Sequence, residues 1–300
     1  MQLFYHKDPT GNFGDDLNEW FWDKALPGFR EWSSDTYLIG IGTLINRKRL
    51  ANFRDKNVVI VGAGVGYGGG PPDQPLPPNW RIYAVRGPES ARALGIKKSL
   101  GIVDPAAILP SFPEFNGLRT EGLPLFIPHH KSVNRHVWRP ACDNVGLSFI
   151  SPSENAKTVI RRIASAPYVI TEAMHGAIIA DAFRVPWIPI RIGTQFNDFK
   201  WQDWLQSLSI SASPNPLFPR IDQIARNLEL PRGKRLQMSF RRTIEKAFLK
   251  SSLSRCMQLQ KQLSNQKVLE AKQTAFRAVL GQLKADFETQ CHRNRTQSVT

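Results

Sequence analysis

One histidine, His175, lies between a segment with strand composition and a segment with helix composition. Residues 168–170 before it are aromatic or β-branched and favour a strand, whereas the alanine-rich run 177–182 after it favours a helix. In α/β enzymes, such junctions hold catalytic groups and bind anions. An imidazole there can exchange protons near neutral pH, beside helix amides that attract negative charge. The alternative is a histidine that only packs in the turn.

Arg86 lies at a second junction of this kind, where a predicted strand ends and Pro88 begins a helix. Proline is favourable at a helix start because the N–H it lacks has no partner there. A guanidinium at this position can bind a carboxylate or a phosphate through two parallel hydrogen bonds. The alternative is a structural ion pair with Asp104 or Asp15.

Two loops add positions that suit anion binding. Asn12, Gly14 and Asp15 precede a predicted helix, where Asp15 can cap the first turn and the exposed amides can bind an anion. Gly64 lies in a glycine-rich run that only partly matches a dinucleotide-binding fingerprint, because the third glycine would fall on Tyr67. We therefore predict a loop that lets backbone or ligand approach closely.

His129 follows another predicted strand, and we predict that it binds substrate; the alternative is an ordinary loop residue. No metal site is predicted, because His129 and His130 are adjacent rather than four residues apart. The three cysteines, Cys142, Cys256 and Cys291, form no Cys-x-x-Cys pair. Unpaired cysteines are typical of a reducing cytoplasm.

Short apolar runs alternate with segments of helical spacing through most of the chain. The predicted strands are 38–41, 58–61, 82–85, 102–103, 125–127, 146–150, the residues before Thr171, and 187–190; the predicted helices are 15–26, 44–53, 89–94 and 155–164. A proline-rich stretch, 105–124, interrupts the alternation. The pattern predicts an α/β fold with two Rossmann-like domains, residues 1–118 and 119–230, that face a cleft.

The remaining residues, 231–300, form a strongly basic tail. They carry 15 of the 40 Lys and Arg side chains but only 4 of the 25 acidic ones, and their apolar residues recur at helical spacing. We predict one or two amphipathic helices that either pack on the protein itself or contact an anionic membrane surface. Nucleic acid is not an expected partner, because no nucleic-acid-binding motif is present.

The composition of the chain is that of a soluble globular protein. It is 41% hydrophobic and has no apolar run long enough to cross a bilayer. Its first residues lack the layout of a secretory signal. We therefore expect a cytoplasmic protein.

Taken in order, several segments of about residues 1–210 resemble the polysaccharide pyruvyl transferase family, in particular its exopolysaccharide and succinoglycan type. These segments are 12–18, 40–43, 85–90, 104–106, 127–129 and 171–181. The resemblance implies a glycosyltransferase-B-like fold and transfer of the enolpyruvyl unit of phosphoenolpyruvate to a saccharide, usually closing a ketal. It implies no cofactor. By resemblance, His175 is the catalytic acid or base and Arg86 binds the donor, with Asn12, Gly14, Asp15 and Gly64 as further donor contacts.

One departure from the family lies at residues 173–175, which read Ala-Met-His where many members carry Arg-Leu-His. A donor contact is therefore missing, and Lys131, Arg135 or Arg191 is expected to replace it. Alternatively, Glu172 marks a subgroup that treats the acceptor differently, so we predict Glu172 as a second substrate-binding residue beside His129.

Two other functions are compatible with these residues: a nucleotide-sugar glycosyltransferase, and a non-catalytic sugar-binding relative. The acceptor is either a free or a lipid-linked saccharide. If it is lipid-linked, the enzyme works at the cytoplasmic face of the inner membrane, where the basic tail would contact anionic lipid.

Overall fold

The computed structural model describes residues 1–133, 138–193, 196–217 and 248–297 of the 300-residue chain, with side chains up to residue 289. The first half contains a parallel sheet in the order β1-β2-β3-β4. Its strands are β1 (Gln2–Phe4), β2 (Thr36–Ile39), β3 (Asn57–Val61) and β4 (Trp80–Ala84). The helices of this half are α1 (Asn18–Ala25), α2 (Arg47–Leu50) and α3 (Pro88–Ala93).

The second half contains another parallel sheet, in the order β6-β5-β7-β8-β9. Its strands are β5 (Leu125–Ile127), β6 (Ser148–Phe149), β7 (Val169–Thr171), β8 (Trp187–Arg191) and β9 (Asn215–Pro216). Its helices are α4 (Trp138–Asp143), α5 (Ala156–Ala164), α6 (Met174–Ala182) and α7 (Asp198–Ser207). The α/β class is thereby confirmed, whereas two separate Rossmann-like domains in a glycosyltransferase-B-like arrangement stay a prediction.

Most predicted elements are present within a few residues of their predicted bounds. The exception among the strands is 102–103, where the chain forms only a single parallel bridge between Val85 and Gly101. Among the helices, the segment predicted as 44–53 begins later, because the side chain of Asn46 caps the first turn of α2 by accepting a backbone N–H at 2.9 Å. An Asn at this position ends the preceding extended segment.

The proline-rich stretch 105–124 contains two 3-10 segments, Pro105–Ser111 and Pro113–Phe115. The first is buried and packs against α6. The largest hydrophobic core contains residues of both sheets, including Val59 and Val169. The stretch is therefore part of a shared core rather than a free linker, and the boundary predicted between two domains stays a prediction.

The described part of the tail is helical, with α8 over residues 248–257 and α9 over Gln266–Gln297; residues 218–247 lie outside the described residues. Each helix buries its apolar side chains in one of the two halves. In α8 these are Leu249, Leu253 and Cys256, and in α9 they are Leu269, Phe276, Leu280, Leu283 and Phe287. The tail helices therefore pack on the protein itself.

Polar and aromatic contacts fix the end of α9 against β4 and its surroundings. Tyr83 donates a hydrogen bond to Asp286 at 2.7 Å, and Trp32 stacks on Phe287 with ring centroids 6.0 Å apart. Up to residue 289, the exposed residues of α9 are charged, polar or small, for example Arg277, Lys284 and Ala278. Within the described ranges, no helix combines the length and apolar character needed to cross a membrane.

Candidate active site

A cavity of about 320 Å³ lies at the carboxyl ends of strands from both sheets. Its lining residues follow β1, β2, β3, β5, β7 and β8 along the chain, the usual position of a ligand site in open parallel sheets. They are His6, Asp8, Asn12, Asp15, Thr43, Leu44, Arg49, Tyr67, His129, His130, Lys131, Met174, His175 and Lys200. The cavity therefore combines residues from both halves of the chain.

The turn between β7 and α6 places His175 in the cavity wall. Thr171, the last residue of β7, donates through its hydroxyl to the carbonyl of Ala173 at 2.9 Å and fixes the turn. A Cβ on Gly176 would overlap with that hydroxyl, so glycine is required where the helix passes the strand end. The predicted strand-to-helix junction is confirmed, and His175 is the second residue of α6.

The His175 side chain is only 11% exposed and lies beside the buried side chain of Asp104. Its Nε2 atom is 3.7 Å from Oδ2 of Asp104, and neither atom has a hydrogen-bond partner among the described residues. Burial, together with the positive charges of Lys200 and Arg86, lowers the pKa of His175 to about 3. The imidazole is therefore neutral at physiological pH in the unliganded protein.

The loop before α1 packs directly on this imidazole. A Cβ on Gly14 would overlap with Nδ1 of His175, so only glycine allows the loop to pass at this distance. The side chain of Asn12 donates to Asp15 at 2.8 Å. Burial raises the pKa of Asp15 to about 7, although Lys200 and Arg49 act in the opposite direction. The predicted loop residues thus meet His175, while their contact with a donor stays a prediction.

Arg86 does not line the cavity, in contrast to its predicted role as a direct donor ligand. The side chain is fully buried, and its Nε donates to Asp203 at 3.0 Å. Its two terminal nitrogens donate to the Thr43 hydroxyl at 2.9 Å and to the Val65 carbonyl at 3.1 Å. All three nitrogens are therefore occupied. The ion pair that Arg86 forms is with Asp203 and not with Asp104 or Asp15, and a contact of Arg86 with the donor stays a prediction.

Gly64 also lies outside the cavity lining. A Cβ on Gly64 would overlap with the guanidinium of Arg86, and the backbone of Gly64 bonds to its neighbours in the same half. The predicted close approach at this glycine is real, but what approaches is a protein side chain rather than the donor.

His129 lines the cavity as predicted, but Glu172 does not. The Glu172 carboxylate is buried and accepts backbone N–H groups from His129 at 3.1 Å, Ile192 at 2.8 Å and Gly193 at 3.1 Å. Both of its oxygens are thus engaged with the loops that follow β5 and β8. Glu172 therefore holds these loops in place, and its contact with substrate stays a prediction.

Lys200 lines the cavity, but the sequence alone does not identify it as a site residue. It lies on α7, is 8% exposed, and places Nζ 5.5 Å from the centroid of the Tyr67 ring. Burial and Arg86 lower its pKa to about 8, while Asp15 and Glu172 act in the opposite direction. No local motif marks this lysine, because α7 reaches the cavity by packing across the two halves onto α3.

Three cationic side chains, Arg49, Lys131 and Lys200, line the cavity. Of the cations considered as replacements for the family arginine, Lys131 is among them, whereas Arg191 pairs with Asp198 outside the lining. Arg135 lies outside the described residues. The arrangement can bind a small anion and transfer protons at His175. Among the described residues, no group of three His, Cys, Asp or Glu side chains is placed to hold a metal ion.

Comparisons with known proteins agree with the sequence resemblance. A family model described as polysaccharide pyruvyl transferase matches residues 5–193. The succinoglycan biosynthesis protein ExoV of Rhizobium meliloti (strain 1021) is 45% identical over 214 residues, which is 71% of this chain and 67% of ExoV. No solved structure matches the chain. The matched range contains every residue that lines the cavity except Lys200.

Proposed function

The chain belongs to the polysaccharide pyruvyl transferase family, and from that premise we propose that it transfers the enolpyruvyl unit of phosphoenolpyruvate to a saccharide and closes a pyruvate ketal. Family membership makes the chain a transferase. The donor, the ketal product and the acceptor are the parts that we propose here.

The observation that carries the proposal is the charge of the cavity around His175. Phosphoenolpyruvate has a carboxylate and a phosphate, which together need at least two positive groups. Arg49, Lys131 and Lys200 supply three, and Lys200 and His175 are largely shielded from water. A charge-assisted hydrogen bond from a buried cation is stronger than one between neutral groups. A neutral saccharide alone would not need this set.

His175 supports the two proton transfers that the reaction needs. The first saccharide hydroxyl adds to C2 of phosphoenolpyruvate, and its proton passes through the imidazole to C3, where the methylene becomes a methyl group. The second hydroxyl then replaces phosphate at C2, and its proton leaves with the phosphate. The pKa of His175 is lowered by burial and also by the positive charges of Lys200 and Arg86. An anionic donor would offset these charges, raise that pKa and favour the protonated imidazole.

Arg86 supports this site from behind the cavity wall. Its guanidinium bonds to the Thr43 hydroxyl, and Thr43 itself lines the cavity. We assign Arg86 a positioning role and a contribution of positive potential, without direct contact to the donor in this conformation.

For the acceptor, we propose a lipid-linked saccharide of exopolysaccharide synthesis, because the similar protein ExoV is a succinoglycan biosynthesis protein. The enzyme would then work at the cytoplasmic face of the inner membrane. The apolar residues Leu249, Leu253, Phe276 and Phe287 of α8 and α9 are buried in the protein. A membrane contact would therefore rest on the excess of Lys and Arg in residues 231–300, and it should weaken as salt rises.

The test is product analysis with extracted lipid-linked oligosaccharide and phosphoenolpyruvate. The proposal expects phosphate release that depends on the saccharide, together with a mass gain of one pyruvate ketal. Release of a nucleoside diphosphate from a sugar nucleotide would instead identify a glycosyltransferase. Turnover of neither donor by freshly purified full-length protein, with several acceptor extracts, would contradict the proposal.

A further inference from the structure

Given the proposed function, we infer that Asp104 is the positioning residue for His175: it fixes the tautomer of the imidazole and stabilises the imidazolium that forms during proton transfer. Nothing in the family match or in the name of the relative assigns this role to Asp104.

The two side chains are arranged as an incomplete hydrogen-bonded pair. One oxygen of Asp104, Oδ1, accepts the backbone N–H of Ala106 at 3.0 Å and caps the 3-10 segment Pro105–Ser111. The other, Oδ2, is fully buried without a partner and lies 3.7 Å from Nε2 of His175, which is equally buried and unpartnered. Buried polar atoms without partners are unfavourable, and a small movement would bring these two atoms within hydrogen-bond distance of each other.

The orientation of the ring assigns different tasks to its two nitrogens. Nε2 faces Asp104, whereas Nδ1 lies on the other side of the ring, beside Gly14, and the ring itself lines the cavity. A carboxylate that accepts from Nε2–H leaves the lone pair on Nδ1 for the acceptor hydroxyl. Hydrogen bonds at catalytic residues are often long in unliganded proteins and tighten in the complex, which here needs a contraction of roughly 1 Å to normal N–H···O distance.

The charges that face this pair explain why a carboxylate is needed. Lys200 from α7 and Arg86 after β4 both disfavour a positive imidazole, while Asp203 is already bonded to Arg86 and Ser90. Burial raises the pKa of Asp104 to about 6, so Asp104 is mostly ionised at neutral pH. Asp104 is the acid positioned to offset the charge when His175 takes a proton.

The simpler role of Asp104 is to cap the 3-10 segment. Asp104→Asn separates the two roles. The oxygen of the asparagine side chain still accepts the Ala106 N–H, whereas the amide nitrogen that replaces Oδ2 carries no negative charge towards Nε2 of His175. Asp181→Asn is the matched control. Asp181 is also a buried acid, bonded to Trp187 and Ser264, but it lies outside the cavity lining.

The first measurement is nitrogen NMR of the full-length protein with labelled histidine, in which the His175 signal is assigned by its loss in His175→Gln. At neutral pH we expect wild-type His175 to be protonated at Nε2. In Asp104→Asn the amide nitrogen faces Nε2 and donates to it, so the proton should move to Nδ1, whereas Asp181→Asn should keep the wild-type tautomer. A wild-type imidazole protonated at Nδ1, or an unchanged tautomer in Asp104→Asn, would overturn the inference. This measurement needs no substrate, so it holds whether or not the proposed donor is correct.

The second measurement is the split between kcat and KM. In Asp104→Asn we expect kcat to fall by about 10²- to 10⁴-fold, the range for loss of general acid–base function, with the KM for phosphoenolpyruvate within about threefold. A matching loss in Asp181→Asn, or a rise in KM with kcat unchanged, would show a purely structural role. Thermal unfolding of each variant confirms that the compared proteins are folded.

Discussion

Two strand-to-helix junctions of this protein each carry a basic side chain, and they differ in what surrounds it. At the β4–α3 junction, all three nitrogens of Arg86 are bonded within the protein. At the β7–α6 junction, His175 lines the cavity with an unpartnered Nε2. The comparison teaches that the local position of a residue does not decide its role. A side chain that lacks hydrogen bonds to distant residues is the one that can take part in the reaction.

The largest effect expected from this comparison is on activity. His175→Ala should lower transfer by at least about 10²- to 10⁴-fold, because it removes the proton-transfer group. Its stability should change little, since Nε2 makes no hydrogen bond in the unliganded protein. Phosphate release and thermal unfolding measure the two quantities. Unchanged turnover in a variant of native stability would remove His175 from the mechanism.

The opposite pattern is expected at the other junction. Arg86→Ala should lower the free energy of unfolding by about 3–5 kcal/mol, because it leaves Asp203 as a buried, unpaired charge. Denaturant unfolding measures this loss. Arg92→Ala, which removes an exposed arginine of α3, is the control and should stay within about 0.5 kcal/mol of wild type. Equal stability of both variants would mean that Arg86 is not held as the structure shows.

Lys200 lies between the two junctions and should show the binding role that Arg86 does not. Lys200→Ala should weaken phosphoenolpyruvate binding by about 1.5–3 kcal/mol, the scale of one hydrogen bond to a charged group. Calorimetry measures the affinity, with Lys284→Ala on the outer part of α9 as the control. Loss of affinity in both variants would indicate a general charge effect instead of a contact at the cavity.

The pH dependence of binding tests the same lysine without removing it. Lys200, with its pKa lowered to about 8, is protonated below that pH and loses its charge above it. Donor affinity should therefore be retained below pH 8 and fall as the pH rises through 8. Lys200→Arg should bind without this decline, because a guanidinium stays charged. An identical decline in both proteins would assign the titration to another group, such as Asp15.

The smallest effect concerns the hydroxyl that links Arg86 to the cavity wall. Thr43→Val should destabilise the protein by about 0.5–1.5 kcal/mol, the net value of one hydrogen bond. Thr43→Ser keeps the hydroxyl and should retain more of this stability. Tighter binding of phosphoenolpyruvate by Thr43→Val than by wild type would mean that the nitrogen of Arg86 released from Thr43 reaches the donor. Arg86 and His175 would then differ less in their roles than their hydrogen bonds indicate.

The sequence predicts His175 well because the evidence is local: a β-prone run, a turn and a helix-prone run within a few residues. It does not identify the partner of Arg86, because Asp203 is 117 residues away. Nor does it identify the three amide donors of Glu172, which come from two loops. It misses Lys200 for the same reason, since nothing near that lysine shows that α7 crosses to the first half. Long-range packing, rather than residue type, decides these cases.

For the fold, too, the sequence predicts features that depend on local patterns and misses those that depend on long-range packing. Alternation of apolar runs and helical spacing predicts parallel sheets, because buried parallel strands are apolar along their length. The amphipathic tail, in contrast, has the same pattern whether its apolar face packs on protein or on a membrane. The structure shows that α9 packs on the first half, because Phe287 stacks on Trp32 and Asp286 accepts a hydrogen bond from Tyr83.

The packing of α9 also has a consequence for synthesis of the chain on the ribosome. The first sheet ends with β4 at Ala84, but part of its cover begins only at Gln266. At translation rates of about 5–20 residues per second, roughly 10–40 s separate these two points. During that interval the nascent first half exposes the apolar surface that α9 later covers. Chaperone demand should therefore peak before the last helix emerges from the exit tunnel.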